Sequence, residues 1–135
     1  TIECKEADEQ ILDIIHIIKS KDAKGKKIVG IKEDETYCLE PDKILYFESV
    51  DRKTFCYTAK AEYETDLKLY ELEGFPKADF MRVSKSTVIN LNRIKSIRPD
   101  FGGKILATME NGEKTYVSRQ YANEFKLKLG IGGIR

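Results

Sequence analysis

The chain has 135 residues, 35% of them charged, with a net charge of only +1. That length suits one domain with a core and a short extension. No run of about eighteen apolar residues exists, so no membrane span is expected, and no basic-then-apolar leader opens the sequence. Cys4, Cys38 and Cys56 are widely spaced, form no CxxC pair and have only His16 for company. A zinc site is therefore not expected, and the cysteines read as thiols of a reducing cytoplasm.

Residues 10–20 come first. Ile11, Ile14, Ile15 and Ile18 recur at the spacing of one helical face. Leu12 and Ile17 widen that face, while His16 lies on its more polar flank. The next stretch, K-S-K-D-A-K-G-K-K (19–27), is lysine-rich and contains Gly25, as a linker or basic arm does. Residues 1–27 therefore read as an N-terminal amphipathic helix with its linker, and 28–135 as the domain proper.

From residue 28 the pattern changes to short runs rich in β-branched and aromatic residues. Strands are predicted over 28–31, 36–39, 44–50, 54–58, 62–65, 94–97, 104–108 and 114–117. Glu33-Asp34-Glu35 and Pro41-Asp42 punctuate them, and Asp51-Arg52-Lys53 reads as an exposed hairpin tip. Thr65 or Asp66 can cap a short helix over 67–73, ended by Gly74 and Pro76. Asn111-Gly112 signals a two-residue hairpin, because both positions tolerate positive φ. Residues 119–129 form a closing helix with Tyr121, Phe125 and Leu129 on one side, before the glycines at 130, 132 and 133. The class is mainly β, and no second helix follows a short turn, so a helix-turn-helix is not expected.

Charge is divided unequally along the chain. Residues 1–75 carry 12 Lys/Arg against 18 Asp/Glu, a balance of −6, and residues 76–135 carry 12 against 5, a balance of +7. Local potential within a Debye length of roughly 8 Å governs binding, so the asymmetry outweighs the total. Two basic, hydroxyl-rich stretches lie in the second half: F-M-R-V-S-K-S-T-V-I-N (80–90) and V-S-R-Q-Y (117–121). Arg82, Lys85 and Arg119 can neutralise phosphates. Ser84, Ser86, Ser118 and Gln120 can hydrogen-bond phosphate oxygens or base edges. Residue types alone also allow a duller reading, in which these are polar strand ends on a solvated β-protein.

Five ordered segments narrow the choice: I-L-Y-F-E-S (44–49), Y-E-T-D-L-K-L-Y-E-L-E (63–73), R-V-S-K-S-T-V-I-N-L-N-R-I (82–94), E-N-G (110–112) and V-S-R-Q-Y. Together they resemble the LytTR family of bacterial DNA-binding domains, over most of the chain from about residue 28 to 129. The resemblance implies an elongated sandwich of small β-sheets with short helices. It also implies that loops at the sheet ends enter successive major grooves of double-stranded DNA.

Carried across by position, three stretches matter. In the first, Thr54 falls where the family often reads a base, beside Arg52 and Lys53, which can touch phosphates. In the second, Ser84-Lys85-Ser86, the family often has histidine at Ser84 and arginine or asparagine at Lys85. Lysine is a point charge without arginine's bidentate fork, so this departure changes what can be read there. In the third, Gln120 stands where many relatives carry a base-contacting arginine, and glutamine can pair bidentately with adenine. Arg119 either contacts DNA or holds its turn against the domain's carboxylates.

The expected function is that of a cytoplasmic transcriptional regulator acting without cofactor or metal, an output domain like those of response regulators. A receiver domain does not fit in the extension before residue 28. If the chain is the complete protein, its control would come from a regulatory protein partner, from synthesis level or from self-association; if it is a fragment, the signal input has been removed. The isoleucine-rich helix either docks on its own domain or pairs with a second copy, which would suit paired repeat sites in DNA. Asn90 is expected to satisfy buried backbone groups, and Tyr46, Phe47, Phe55 and Tyr57 to be mostly core. Glu48, Glu62 and Glu64 lack the nucleophile and base that catalysis requires, so no enzyme is expected. The competing classes are a β-domain that binds another protein by its edge strands, and an RNA binder with an aromatic platform.

Overall fold

A computed structural model describes residues 27–75 and 78–130. The expected helix over 10–20 and nearly all of its linker lie outside those residues, as do the glycines at 132 and 133. Ten strands follow one another: β1 (Ile28–Lys32), β2 (Glu35–Leu39), β3 (Ile44–Val50), β4 (Lys53–Thr58), β5 (Glu62–Thr65), β6 (Phe80–Ser84), β7 (Thr87–Asn90), β8 (Ile94–Pro99), β9 (Ile105–Met109) and β10 (Lys114–Val117). Among the described residues two α-helices accompany them, α1 (Leu69–Leu72) and α2 (Arg119–Leu129). The strands form a seven-stranded antiparallel sheet, ordered β2-β1-β5-β4-β3-β7-β6, and a three-stranded sheet, ordered β10-β9-β8. The mainly β sandwich expected from the sequence is the one observed.

The large sheet is the middle layer, with apolar residues on both faces. On one face Ile44, Phe47, Cys56, Phe80 and Val88 pack with Leu69 and Leu72 of α1. On the other, Leu45, Tyr46, Met81, Val83 and Ile89 meet Ile105, Met109 and Val117 of the small sheet and Ala122 and Phe125 of α2. This explains the unbroken apolar run Ile44-Leu45-Tyr46-Phe47, because a strand buried on both faces needs no polar alternation. A register shift between Ile44 and Tyr46 turns two consecutive residues, Leu45 and Tyr46, toward the same face. Phe47 and Phe80 meet edge to face at 5.1 Å, a geometry that adds about 0.5–1.5 kcal/mol to their burial. Asn90 is fully buried, with its Nδ2 donating to Ile44 O at 2.9 Å and its Oδ1 accepting from Asn92 N at 3.0 Å, the backbone role expected of it.

Three local expectations are corrected. The short helix spans only 69–72 and starts at Lys68, whose N–H is taken by Glu71 Oε1 at 2.8 Å. Thr65 Oγ1 instead accepts from Leu67 N, holding the preceding bend. The Asn111-Gly112 hairpin is longer than two residues: Met109 N donates to Glu113 O, Gly112 N donates to Met109 O, and only Gly112 takes a positive φ, of 92°. Asn111 stays out of the left-handed region because its Oδ1 accepts from Glu113 N, which closes the turn from the side chain. The two-residue hairpins fall elsewhere, at Glu33-Asp34 and Asp51-Arg52, all four with positive φ. Finally, Cys56 is a buried thiol, its pKa pushed up to about 12 by burial, whereas Cys38 is disulfide-bonded, contrary to the expectation of thiols throughout.

Candidate nucleic-acid interface

Strand registers carry three sequence-distant stretches to one end of the sandwich. Ser49 pairs with Thr54 across the β3–β4 hairpin, so its tip, Asp51-Arg52, projects from that end. Glu48 pairs with Thr87 on the other side, and Ser49 N donates to Ser86 O at 2.8 Å, which sets the 84–86 turn beside the tip. Ser118 N donates to Val83 O at 2.8 Å, which brings the start of α2 next to the same turn. Two backbone hydrogen bonds thus tie together three segments spread over seventy residues of sequence. Each bond involves main chain alone, so the side chains of the stretches stay available.

Not every expected residue presents its side chain outward. Arg52, Lys53, Lys85, Arg119 and Gln120 are exposed, and Ser84 and Ser86 are half-buried. Thr54 is buried, at 6% exposure, so its hydroxyl faces the protein. Arg82 is occupied: Nε donates to Ser84 O and Nη2 to Lys85 O, both at 2.9 Å, while Nη1 meets Glu73 Oε2 at 2.8 Å. Its planar fork matches two carbonyls and a carboxylate at once, a task a lysine ammonium cannot perform. Ser84 Oγ accepts from Ser86 N at 3.2 Å, so this hydroxyl also shapes the turn. Arg82 and Ser84 therefore hold Lys85 outward.

A fourth stretch joins the same end and was not singled out from the sequence. Pro99 and Val117 both pair with Ile105, which places the β8–β9 loop beside the start of α2. Arg98 near the end of β8 and Phe101 and Lys104 in the loop are all exposed. Asp100 N donates to Lys104 O at 2.8 Å, closing it. The Asp100 carboxylate, held below its usual range by the Phe101 N–H and then by the Tyr116 hydroxyl, braces it further. Lys104 Nζ sits 5.0 Å from the Tyr116 ring centre. Gly103 has φ +83°, and a Cβ there would fall 2.9 Å from the Arg119 side chain, so the arginine stem lies against bare backbone. The only sequence signal is Phe-Gly-Gly-Lys after Arg-Pro-Asp, a glycine turn between two strands.

An end lined by exposed cations and polar side chains is a surface suited to a polyanion. Residues 34–130 match the LytTr DNA-binding domain family. The LytTr DNA-binding domain of a Bacillus cereus protein described as a methyl-accepting/DNA response regulator superposes with a TM-score of 0.72 at 33% identity, covering 78% of this chain and 99% of that one. Proteins of Staphylococcus aureus strains NCTC 8325 and MRSA252, each named an uncharacterized HTH-type transcriptional regulator, are 25% identical over 130 residues, or 96% of this chain and 88% of theirs. The chain belongs to the LytTR family, and its function class is sequence-specific DNA binding in transcription regulation. Although those relatives are named HTH-type, the described residues of this chain contain no helix-turn-helix, because α1 and α2 are separated by five strands.

Proposed function

We propose that this domain reads double-stranded DNA with loops rather than a helix, inserting the 84–86 turn and the start of α2 into major-groove edges. The observation that carries the reading is the convergence of the 51–53, 84–86 and 118–120 stretches, joined by the Ser49–Ser86 and Val83–Ser118 backbone bonds. Arg52, Lys53, Lys85 and Arg119 neutralise phosphates, and Gln120 reads a base, adenine being the partner that its amide matches bidentately. Arg82 and Ser84 act through the turn they hold, Ser86 hydrogen-bonds the backbone of the DNA, and Thr54 supports the hairpin from inside. A dozen lysines and arginines after residue 75 make the affinity strongly salt-dependent.

The site in DNA is a paired repeat in this proposal, occupied by two copies whose isoleucine-rich segments, 11–18, associate. Linking two reading domains raises affinity through effective concentration without a new contact. Selection of duplexes from random oligonucleotides at physiological salt tests both parts. An enriched repeat supports the proposal. Deleting residues 1–20 should then lower affinity for the paired site while sparing the single one. Enrichment of no duplex, with single-stranded RNA retained instead, would sink it.

A further inference from the structure

Phe101 is 88% exposed, the most exposed large apolar residue among those described. A single exposed apolar side chain is common on a protein surface; this one stands on a braced loop at the cationic end of the sandwich. Here the bracing is explicit. The loop is closed by the Asp100 N–Lys104 O bond, its carboxylate is fixed on Phe101 N–H and Tyr116, and the next two residues are glycines with φ of +76° and +83°. Gly102 has nothing within 4 Å of where a Cβ would stand, so the backbone beside the ring is open to close approach. Cations flank Phe101 along the chain, Arg98 and Lys104 each three residues away, and the Arg119 stem packs on the nearby Gly103.

We propose that Phe101 is an apolar base contact of the DNA-bound domain, pressed into the groove beside the bases that Gln120 reaches. The inference rests on the DNA reading above and adds a residue and a chemistry to it. Arg98, Lys104 and Arg119 hold phosphates on either side, and the ring meets what phosphates do not offer: a thymine methyl or the face of an easily unstacked pyrimidine–purine step. DNA is the occupant that fits, because an apolar partner protein would have to bury three cations with the ring.

The test compares the full chain with F101A and F101L on the duplex that the unaltered chain enriches, with affinity measured across a salt series. F101A should bind roughly tenfold or more weakly, the scale of losing one buried aromatic. F101L should recover part of that loss. The slope of log affinity against log salt should be unchanged in both, because no phosphate contact is removed. The F101A site should also lose its preference at one thymine or pyrimidine–purine step, with an unaltered melting temperature. Full affinity and an unchanged preference in F101A would overturn the assignment while leaving the DNA reading intact. A lowered salt slope or a lowered melting temperature would overturn it too, by showing that Phe101 acts through its neighbours. If the unaltered chain enriches no duplex, both proposals fall together.

Discussion

At one end of the sandwich, stretches 51–53, 84–86, 98–104 and 118–120 carry Arg52, Lys53, Lys85, Arg98, Lys104 and Arg119 against Asp51 and Asp100. At the other, 42–43, 59–62, 91–93 and 110–113 carry Lys43, Lys60 and Arg93 against Asp42, Glu62, Glu110 and Glu113. The first set is net +4 and the second −1, although both are loops on the same strands. Partnering differs at one position. Arg93 is spent on Asp42 O at 2.7 Å and on Glu110 at 3.3 Å. Among the described residues, none of the six cations at the basic end has a salt-bridge partner. The stacked pair Tyr46 and Tyr57 reports the opposite field. Tyr46 is pushed up to about 12, first by burial and then by Glu113, Glu48 and Glu62. Tyr57 is raised in the same way, by burial first and then by Glu48 and Glu62. The contrast teaches that a near-neutral chain can still present a strong local attraction for phosphate, if the acids are kept at the far end.

The largest effect should come from the residue that builds the basic end without facing DNA. Arg82→Ala leaves Ser84 O and Lys85 O without donors. A lost partner costs about 1–3 kcal/mol for a buried group; partial exposure places each at the lower part of that range, but three partners are lost together. Arg82→Lys should rescue little, since one ammonium cannot span three acceptors. Urea unfolding and duplex binding should fall together in both variants. Stability close to that of the unaltered chain would show that the 84–86 turn holds itself.

Reading and attraction can then be separated. Gln120→Ala should lose on the order of 1–3 kcal/mol at one base position and little elsewhere in the site. Identical preference profiles would remove Gln120 from the reading set. Lys85→Ala should reduce the salt slope by up to about one unit, as loss of one phosphate contact does. Lys60→Ala, at the other end, should leave the slope alone. Equal slopes for these two lysine variants would erase the distinction between the ends.

Eight of the ten strands were legible, helped where burial on two faces writes long apolar runs, as in β3, and the closing helix was legible from its spacing. The strands β6 and β7 were not, because the basic and hydroxyl residues between them point to a loop. Side-chain direction at the loops was not. Thr54 sits one residue inside β4, and the pleat alone turns it inward while Lys53 points out. Arg82 looks identical in sequence to a free phosphate ligand. Only the fold shows two carbonyls and Glu73 around its guanidinium. Phe101 drew no reading from the sequence, because a single phenylalanine between turn residues has no periodicity to say which way it faces.

The smallest effects test the two hairpin tips against each other. Asp51 and Arg52 have φ of 52° and 68°, and Glu33 and Asp34 have 51° and 67°. The backbones of the two turns are alike, and each holds residues other than glycine in the left-handed region. That region costs roughly 1 kcal/mol for a side chain with a Cβ, less for aspartate, whose short polar group tolerates it. Arg52→Gly should therefore stabilise the fold by up to about 1 kcal/mol while lowering the DNA salt slope by up to one unit. Asp34→Gly should give a smaller gain in stability and no change in slope. The signs are what matter: at the 51–52 tip stability and binding should move apart, and at the 33–34 tip only stability should move. Melting temperature and salt-dependent anisotropy on the same samples decide it. If Arg52→Gly keeps the full slope, the positive φ at that tip is merely tolerated strain, and Lys53 alone carries the charge of the hairpin to DNA.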